Sequence, residues 1–136
     1  MLVPVGTLLV YEQPQGINAF LWSSLLTFIA GIAMVAQGRP QNTQLRPRDM
    51  YMLTVSSWVL VSIFAALPFV FTQHVSFTDA YFESMSGITA TGATVFSGLD
   101  NMSPGTLIWR SLLHWLGGIG FIGMAVAILP LLRIGG

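Results

Sequence analysis

The chain has 136 residues, 54% of them hydrophobic and 7% charged, with a net charge of zero and a mean hydropathy of +0.73. Soluble domains carry about a quarter charged residues, so this composition is that of a protein built for lipid. Every basic residue is an arginine, with no basic face for nucleic acid, and cysteine is absent, which excludes disulfides and thiolate metal sites.

In chain order, residues 2–11 are apolar but too short to cross a bilayer, because a helix needs about 20 residues to span a ~30 Å core. They read as the outer end of a helix whose beginning is missing. No basic residue precedes them as a signal peptide would require. Glu12-Gln13-Pro14-Gln15-Gly16 is a turn. Residues 17–36 form a first span, closed by Gly38-Arg39-Pro40, and the loop at 41–49 carries Arg46, Pro47 and Arg48. Residues 50–72 form a second span with Pro68 near its end. Residues 104–132 form a third, opening on Pro104 and stopping near Pro130.

The arginines orient these spans. Arg39, Arg46 and Arg48 share one loop and Arg133 follows the third span, so the positive-inside rule makes both places cytoplasmic. Residues 73–103 then begin and end outside, and they are too few to cross and return as two helices. They must dip in and come back. Ser76-Phe77-Thr78-Asp79 supplies cap oxygens and an acid for a helix start. Residues 80–86 can form two or three turns, roughly 15 Å with the cap, about half a membrane. Gly87, tolerant of positive φ, ends this helix. The chain returns extended through residues 88–95, and Ser97-Gly98 and Asp100-Asn101 turn it into the third span.

Residues 86–95, SGITATGATV, cannot be a membrane helix. Non-helical backbone survives at membrane depth only where protein buries it or where it lines a water-filled path. A helix entering from outside also points its C-terminal end, worth about half a negative charge, towards mid-membrane, where it favours a cation. No acid lies between Glu83 and Asp100, so selectivity would come from carbonyls and threonine hydroxyls. The plainer reading is an extended extracellular loop between two spans.

The run Asp79-Ala80-Tyr81-Phe82-Glu83-Ser84-Met85-Ser86-Gly87-Ile88-Thr89-Ala90-Thr91-Gly92-Ala93-Thr94 resembles the first pore loop of Trk-type potassium transporters, the TrkH branch of the Trk/Ktr/HKT superfamily. The resemblance continues through Trp109-Arg110, His114-Trp115-Leu116-Gly117-Gly118-Ile119-Gly120 and Ala125-Val126-Ala127-Ile128-Leu129-Pro130. It implies an all-α membrane protein with transmembrane helices plus one re-entrant pore helix and filter loop. Residues 1–49 would be the preceding helices and cytoplasmic loop, and residues 50–136 the first of four membrane–pore–membrane repeats. The carbonyls of Ala90, Thr91, Gly92 and Ala93 would be this repeat's share of a potassium filter, with Thr89 at its inner end. Gly92 falls on the glycine that the family associates with potassium over sodium. Many members carry Thr where this chain has Ala90, so a carbonyl is kept and a hydroxyl ligand is lost.

The resemblance further implies potassium as the transported ion with no cofactor, a bacterial inner membrane location with several passes, lipid contact, a homodimer of full-length chains, and a cytosolic nucleotide-binding regulatory subunit. One loop is one wall of a filter, so the chain reads as an N-terminal fragment; the other reading of its length is a short protein that assembles with its own copies. A non-conducting remnant or accessory membrane protein is the alternative function.

Glu83 and Arg110 are ionisable residues at membrane depth, where such groups are usually paired or functional. They are expected either to interact behind the filter, holding the pore helix to the third span, or to leave Arg110 snorkelling to the outer interface. Gly118-Ile119-Gly120-Phe121-Ile122-Gly123 matches a dinucleotide fingerprint in letters but lies within an apolar helix without a βαβ unit; small residues for close helix approach, with Gly123 and Ala127, are the expectation. His74 is expected to face solvent, and His114 to sit at an interface or helix contact; neither has a second metal ligand. Trp22, Trp109 and Trp115 are candidate interfacial anchors, and Trp58 is expected to be buried mid-span. No catalytic constellation is present.

Overall fold

The computed structural model describes residues 1–11, 16–38 and 46–128. Among them are five α-helices: α1 (Leu2–Val10), α2 (Ile17–Gln37), α3 (Pro47–Gln73), α4 (Phe77–Ile88) and α5 (Pro104–Ile128), with a 3-10 turn at Leu99–Asn101 between the last two. Most of the expected turn at Glu12 to Gly16, the loop from Arg39 through residue 45, and the end of the third span with Pro130 and Arg133 lie outside the described residues.

Local chemistry explains where the helices start and stop. Pro47 opens α3, where its missing N–H costs nothing. Asp49 reaches back from the first turn, its Oδ2 accepting the Arg46 N–H at 3.1 Å. His74 ends α3 in the left-handed region at φ 51°, its N–H donating to the Val70 carbonyl at 3.1 Å. Pro68 sits nearly two turns earlier, and the Thr72 hydroxyl donates to its carbonyl at 2.7 Å. By length and composition α2 and α3 can each cross a membrane, and only 11% and 28% of their most apolar windows are buried within the chain. The remainder presents apolar side chains outwards, as lipid requires. α5 has 25 described residues, about 37 Å at ~1.5 Å per residue.

α4 is wedged between α3 and α5, and α1 lies against α2 and α5. Leu8, Phe20, Ala65, Ala66, Phe69, Ala80, Ile88, Phe96, Trp109 and Leu113 form the buried core. Phe20 meets Trp109 edge-on at 6.4 Å, and Phe69 meets Phe96 edge-on at 5.5 Å. Leu8 of α1 seats over Gly105, where an added Cβ would come within 2.8 Å of it.

Several expectations are corrected here. Trp109 is buried, because its indole N–H donates to the Ala65 carbonyl of α3 at 3.0 Å and so has a partner away from the interface. Trp58 is half-buried rather than enclosed, whereas Trp22 and Trp115 are exposed as anchors would be. Among the described residues nothing lies within 4 Å of a Cβ placed on Gly118, Gly120 or Gly123; the close approach instead falls on Gly117. His74 is exposed, as expected.

Candidate ion-filter site

α4 begins as its sequence dictates. The Asp79 N–H donates to Ser76 Oγ at 3.2 Å, and the Ser76 hydroxyl donates to Asp79 Oδ2 at 2.8 Å. The helix does not stop at Gly87; it runs through Gly87 to Ile88. The reason lies in α5. A Cβ on Gly87 would stand 2.9 Å from Leu113 Cβ and 3.6 Å from His114 Nδ1, so glycine here serves close packing and leaves helix termination to other residues. One turn further along α5, a Cβ on Gly117 would overlap the Ile88 carbonyl. The two glycines bring the C-terminal turn of α4 into backbone contact with α5.

The end of α4 is closed two residues later. Thr91 N–H donates to the Ser86 carbonyl at 3.0 Å and Ala90 N–H to the Gly87 carbonyl at 2.9 Å. With Ala90 at φ 54°, this is a Schellman closure with alanine in the left-handed place usually given to glycine. Thr89 caps from the side, its hydroxyl donating to the Met85 carbonyl at 2.8 Å and lying 2.8 Å from the Thr91 hydroxyl.

Beyond this closure the backbone leaves helical geometry, and residues 89–95 form one exposed edge. Gly92 has φ 82° and, among the described residues, nothing within 4 Å of a Cβ placed on it, so the constraint there is conformational and not spatial. Among the described residues, no donor bonds to the carbonyl oxygens of Thr89, Ala90, Thr91 or Gly92. Ala93 differs. Its carbonyl accepts the Ser86 hydroxyl at 2.6 Å and is thereby turned back towards α4.

Glu83 lies beneath the same edge, fully buried. Its Oε1 receives the Arg110 Nε–H from α5. Its Oε2 receives the Thr94 hydroxyl at 2.9 Å and the Val95 N–H at 3.2 Å. Phe96 N–H continues the chain of bonds to Thr94 Oγ1 at 3.1 Å. A buried carboxylate costs several kcal/mol unless paired and fully hydrogen-bonded, and here it has both a cation and two neutral donors. Arg110 is about one-fifth exposed, so it is not snorkelling free of a partner. His114 Nδ1 lies 2.9 Å from the Arg110 carbonyl within α5 and 3.6 Å from a Cβ placed on Gly87 of α4, which puts this histidine at a helix contact.

The structure therefore gathers Thr89, Ala90, Thr91, Gly92 and Ala93 on one edge, with Glu83 and Arg110 behind it. The ties made by Ser86, Thr94 and Val95 were missed by sequence reasoning. A signal for Ser86 was present: it follows Glu83 by three positions on a helix, so both side chains share one face. Among the described residues there is no cluster of His, Asp or Glu fit to hold a metal. A single wall of bare carbonyls at the negative end of a short helix can offer ligands to a partly dehydrated cation.

The chain is 39% identical over 137 residues to the Trk system potassium uptake protein TrkI of Halomonas elongata, covering all of this chain and 28% of that protein. It is 37% identical over 138 residues to the Trk system potassium uptake protein TrkH of Escherichia coli K12, again covering the whole chain and 28% of the relative. The crystal structure of the potassium transporter TrkH from Vibrio parahaemolyticus superposes with a TM-score of 0.90 at 37% identity, over 99% of this chain and 29% of that one. The chain thus spans a little over a quarter of the length of the relatives it matches. The TrkH cation transport protein model matches residues 16–136, and the chain belongs to that family of transporters, which are not enzymes.

Proposed function

We propose that this chain forms one wall of a potassium filter, contributing the carbonyl oxygens of Ala90, Thr91 and Gly92 to the ion path, with Thr89 at the inner end. The observation that carries the reading is the row of carbonyls, unclaimed among the described residues, on an exposed edge at the C-terminal end of α4. Ala93 is left at the margin of this set, since its oxygen already serves Ser86.

In this proposal α4 is a re-entrant pore helix, and α3, α4 and α5 make up a membrane–pore–membrane repeat over residues 50–136, preceded by α1 and α2 within residues 1–49. Three further walls complete the filter. The protein lies in the bacterial inner membrane with α2, α3 and α5 crossing it, pairs as a homodimer through full-length chains, and is gated by a cytosolic nucleotide-binding subunit. The relatives are named potassium uptake proteins, which supports potassium as the ion.

The test uses a chimera in which this chain replaces the matching stretch of the E. coli relative, expressed in cells deficient in potassium uptake. Growth at low potassium is expected. Gly92→Ser, which forces a side chain onto φ 82°, is expected to lower potassium over sodium discrimination by about tenfold or more, given a strain of roughly 1–2 kcal/mol at the ion-binding backbone. Unchanged discrimination would remove the filter assignment, and a chimera that inserts but never conducts would favour the non-conducting reading.

A further inference from the structure

Resting on that filter reading, we propose that Glu83 and Ser86 are positioning residues for the returning strand, so that the pair Glu83–Arg110 fixes ion-facing backbone in addition to joining two helices. The division of the Glu83 carboxylate carries this inference. If the pair served only helix packing, both oxygens could face Arg110 in the two-pronged arrangement that arginine and carboxylate favour. Instead one oxygen takes the Arg110 Nε–H, and the other takes two donors from the strand, the Thr94 hydroxyl and the Val95 N–H. Arg110 neutralises and orients a carboxylate whose second oxygen anchors the strand just past the proposed ion-facing residues.

Ser86 completes the arrangement three residues along the same helix. Its hydroxyl holds the Ala93 carbonyl at 2.6 Å, while its carbonyl holds the Thr91 N–H at 3.0 Å. Thr91 and Ala93 bracket Gly92, and both are tied to Ser86. Among the described residues, Gly92 has no neighbour within 4 Å of its Cβ position, so no side-chain packing there sets its orientation. The peptide groups one step out from Gly92 on either side, Ala90–Thr91 and Ala93–Thr94, are therefore held from behind by Ser86, and the next one, Thr94–Val95, by Glu83. This also sets the number of oxygens that the wall offers. While Ser86 holds Ala93, the carbonyls of Ala90, Thr91 and Gly92 face the path and that of Ala93 does not.

Three variants of the chimera test this, with Gly92→Ser as the control for the filter reading. The exchange Glu83→Arg with Arg110→Glu preserves an ion pair between α4 and α5 but leaves no acceptor at position 83 for Thr94 and Val95, because guanidinium accepts nothing. The double change Glu83→Gln with Arg110→Gln removes both charges but keeps an amide oxygen at position 83. Ser86→Ala removes one hydroxyl from a helix that alanine favours. The readout is potassium over sodium discrimination in uptake, at equal amounts of protein in the membrane.

The charge exchange is expected to lose discrimination by about tenfold or more, and Ser86→Ala by about three- to tenfold, as the loss of hydrogen bonds of these types implies. The glutamine pair is expected to stay within about threefold of the parent. Full discrimination in the charge exchange, or its loss in the glutamine pair, would overturn the role of Glu83. Unchanged discrimination in Ser86→Ala would overturn the role of Ser86, and this variant decides the proposal if the charge exchange fails to reach the membrane. If Gly92→Ser alone abolishes discrimination and the other variants do not, the filter stands and the positioning falls; if Gly92→Ser changes nothing, the filter reading itself has failed.

Discussion

Ala90 occupies a backbone position that its side chain resists. At φ 54° a Cβ crowds the following carbonyl, a cost that glycine escapes. The Schellman bonds from Ala90 and Thr91 hold it there. Ala90→Gly should therefore stabilise the protein by about 1 kcal/mol or slightly less, after allowing for the extra freedom of glycine in the unfolded chain. Thermal unfolding in detergent would show this as a higher midpoint, and a lower midpoint would mean that alanine is not strained at this site. Gly92 shares the positive φ but already has the residue suited to it, so the two positions separate conformational strain from filter chemistry.

At the scale of elements, the decisive contact is the one between the last turn of α4 and the glycine face of α5. Gly117→Ala drives a Cβ into the Ile88 carbonyl, and backbone on both sides cannot yield as a flexible side chain would. The expected cost is about 1–3 kcal/mol or more, with the end of α4 and the strand behind it displaced. Gly118→Ala, in open space one residue on, is the matched comparison and should gain slightly from helix propensity. Equal stability of the two variants would contradict the close approach.

This contact also marks where the sequence was readable and where it was not. The start of α4 was legible, because Ser76 and Asp79 cap it through local bonds. Its end was misplaced at Gly87, because the need for glycine there comes from Leu113 and His114, far away in the chain. The buried place of Trp109 depends likewise on a carbonyl of α3. The edge at residues 89–93 was legible as backbone that lipid would not tolerate, yet the inward turn of Ala93 depends on a side chain of the preceding helix. Local chemistry and hydropathy reach the elements; only packing tells which oxygens face out.

At the scale of the whole molecule, the described residues expose many large apolar side chains, most of them on α1, α2, α3 and α5. Phe28, 67% exposed near the middle of α2, and Val35, 80% exposed near its end, sample two depths of that surface. An acid at the helix centre costs insertion about 2.5–3.5 kcal/mol, falling towards the ends. Phe28→Asp should thus impair membrane insertion of α2 markedly more than Val35→Asp, as measured by protease protection of the flanking loops. Equal tolerance of both changes would speak against a membrane-crossing α2. The chain belongs to the TrkH cation transport protein family, and in the proposed function the exposed edge after α4 supplies the ion ligands.

The central claim concerns that edge, and it can be observed directly. Crystals of the chimera soaked in thallium(I), a heavy stand-in for potassium, would locate the ion path by anomalous scattering. The account predicts a peak bordered by the carbonyl oxygens of Ala90, Thr91 and Gly92, with the Ala93 carbonyl still held by Ser86. An ion path lined by the other walls, with these three oxygens turned away from it, would contradict the account.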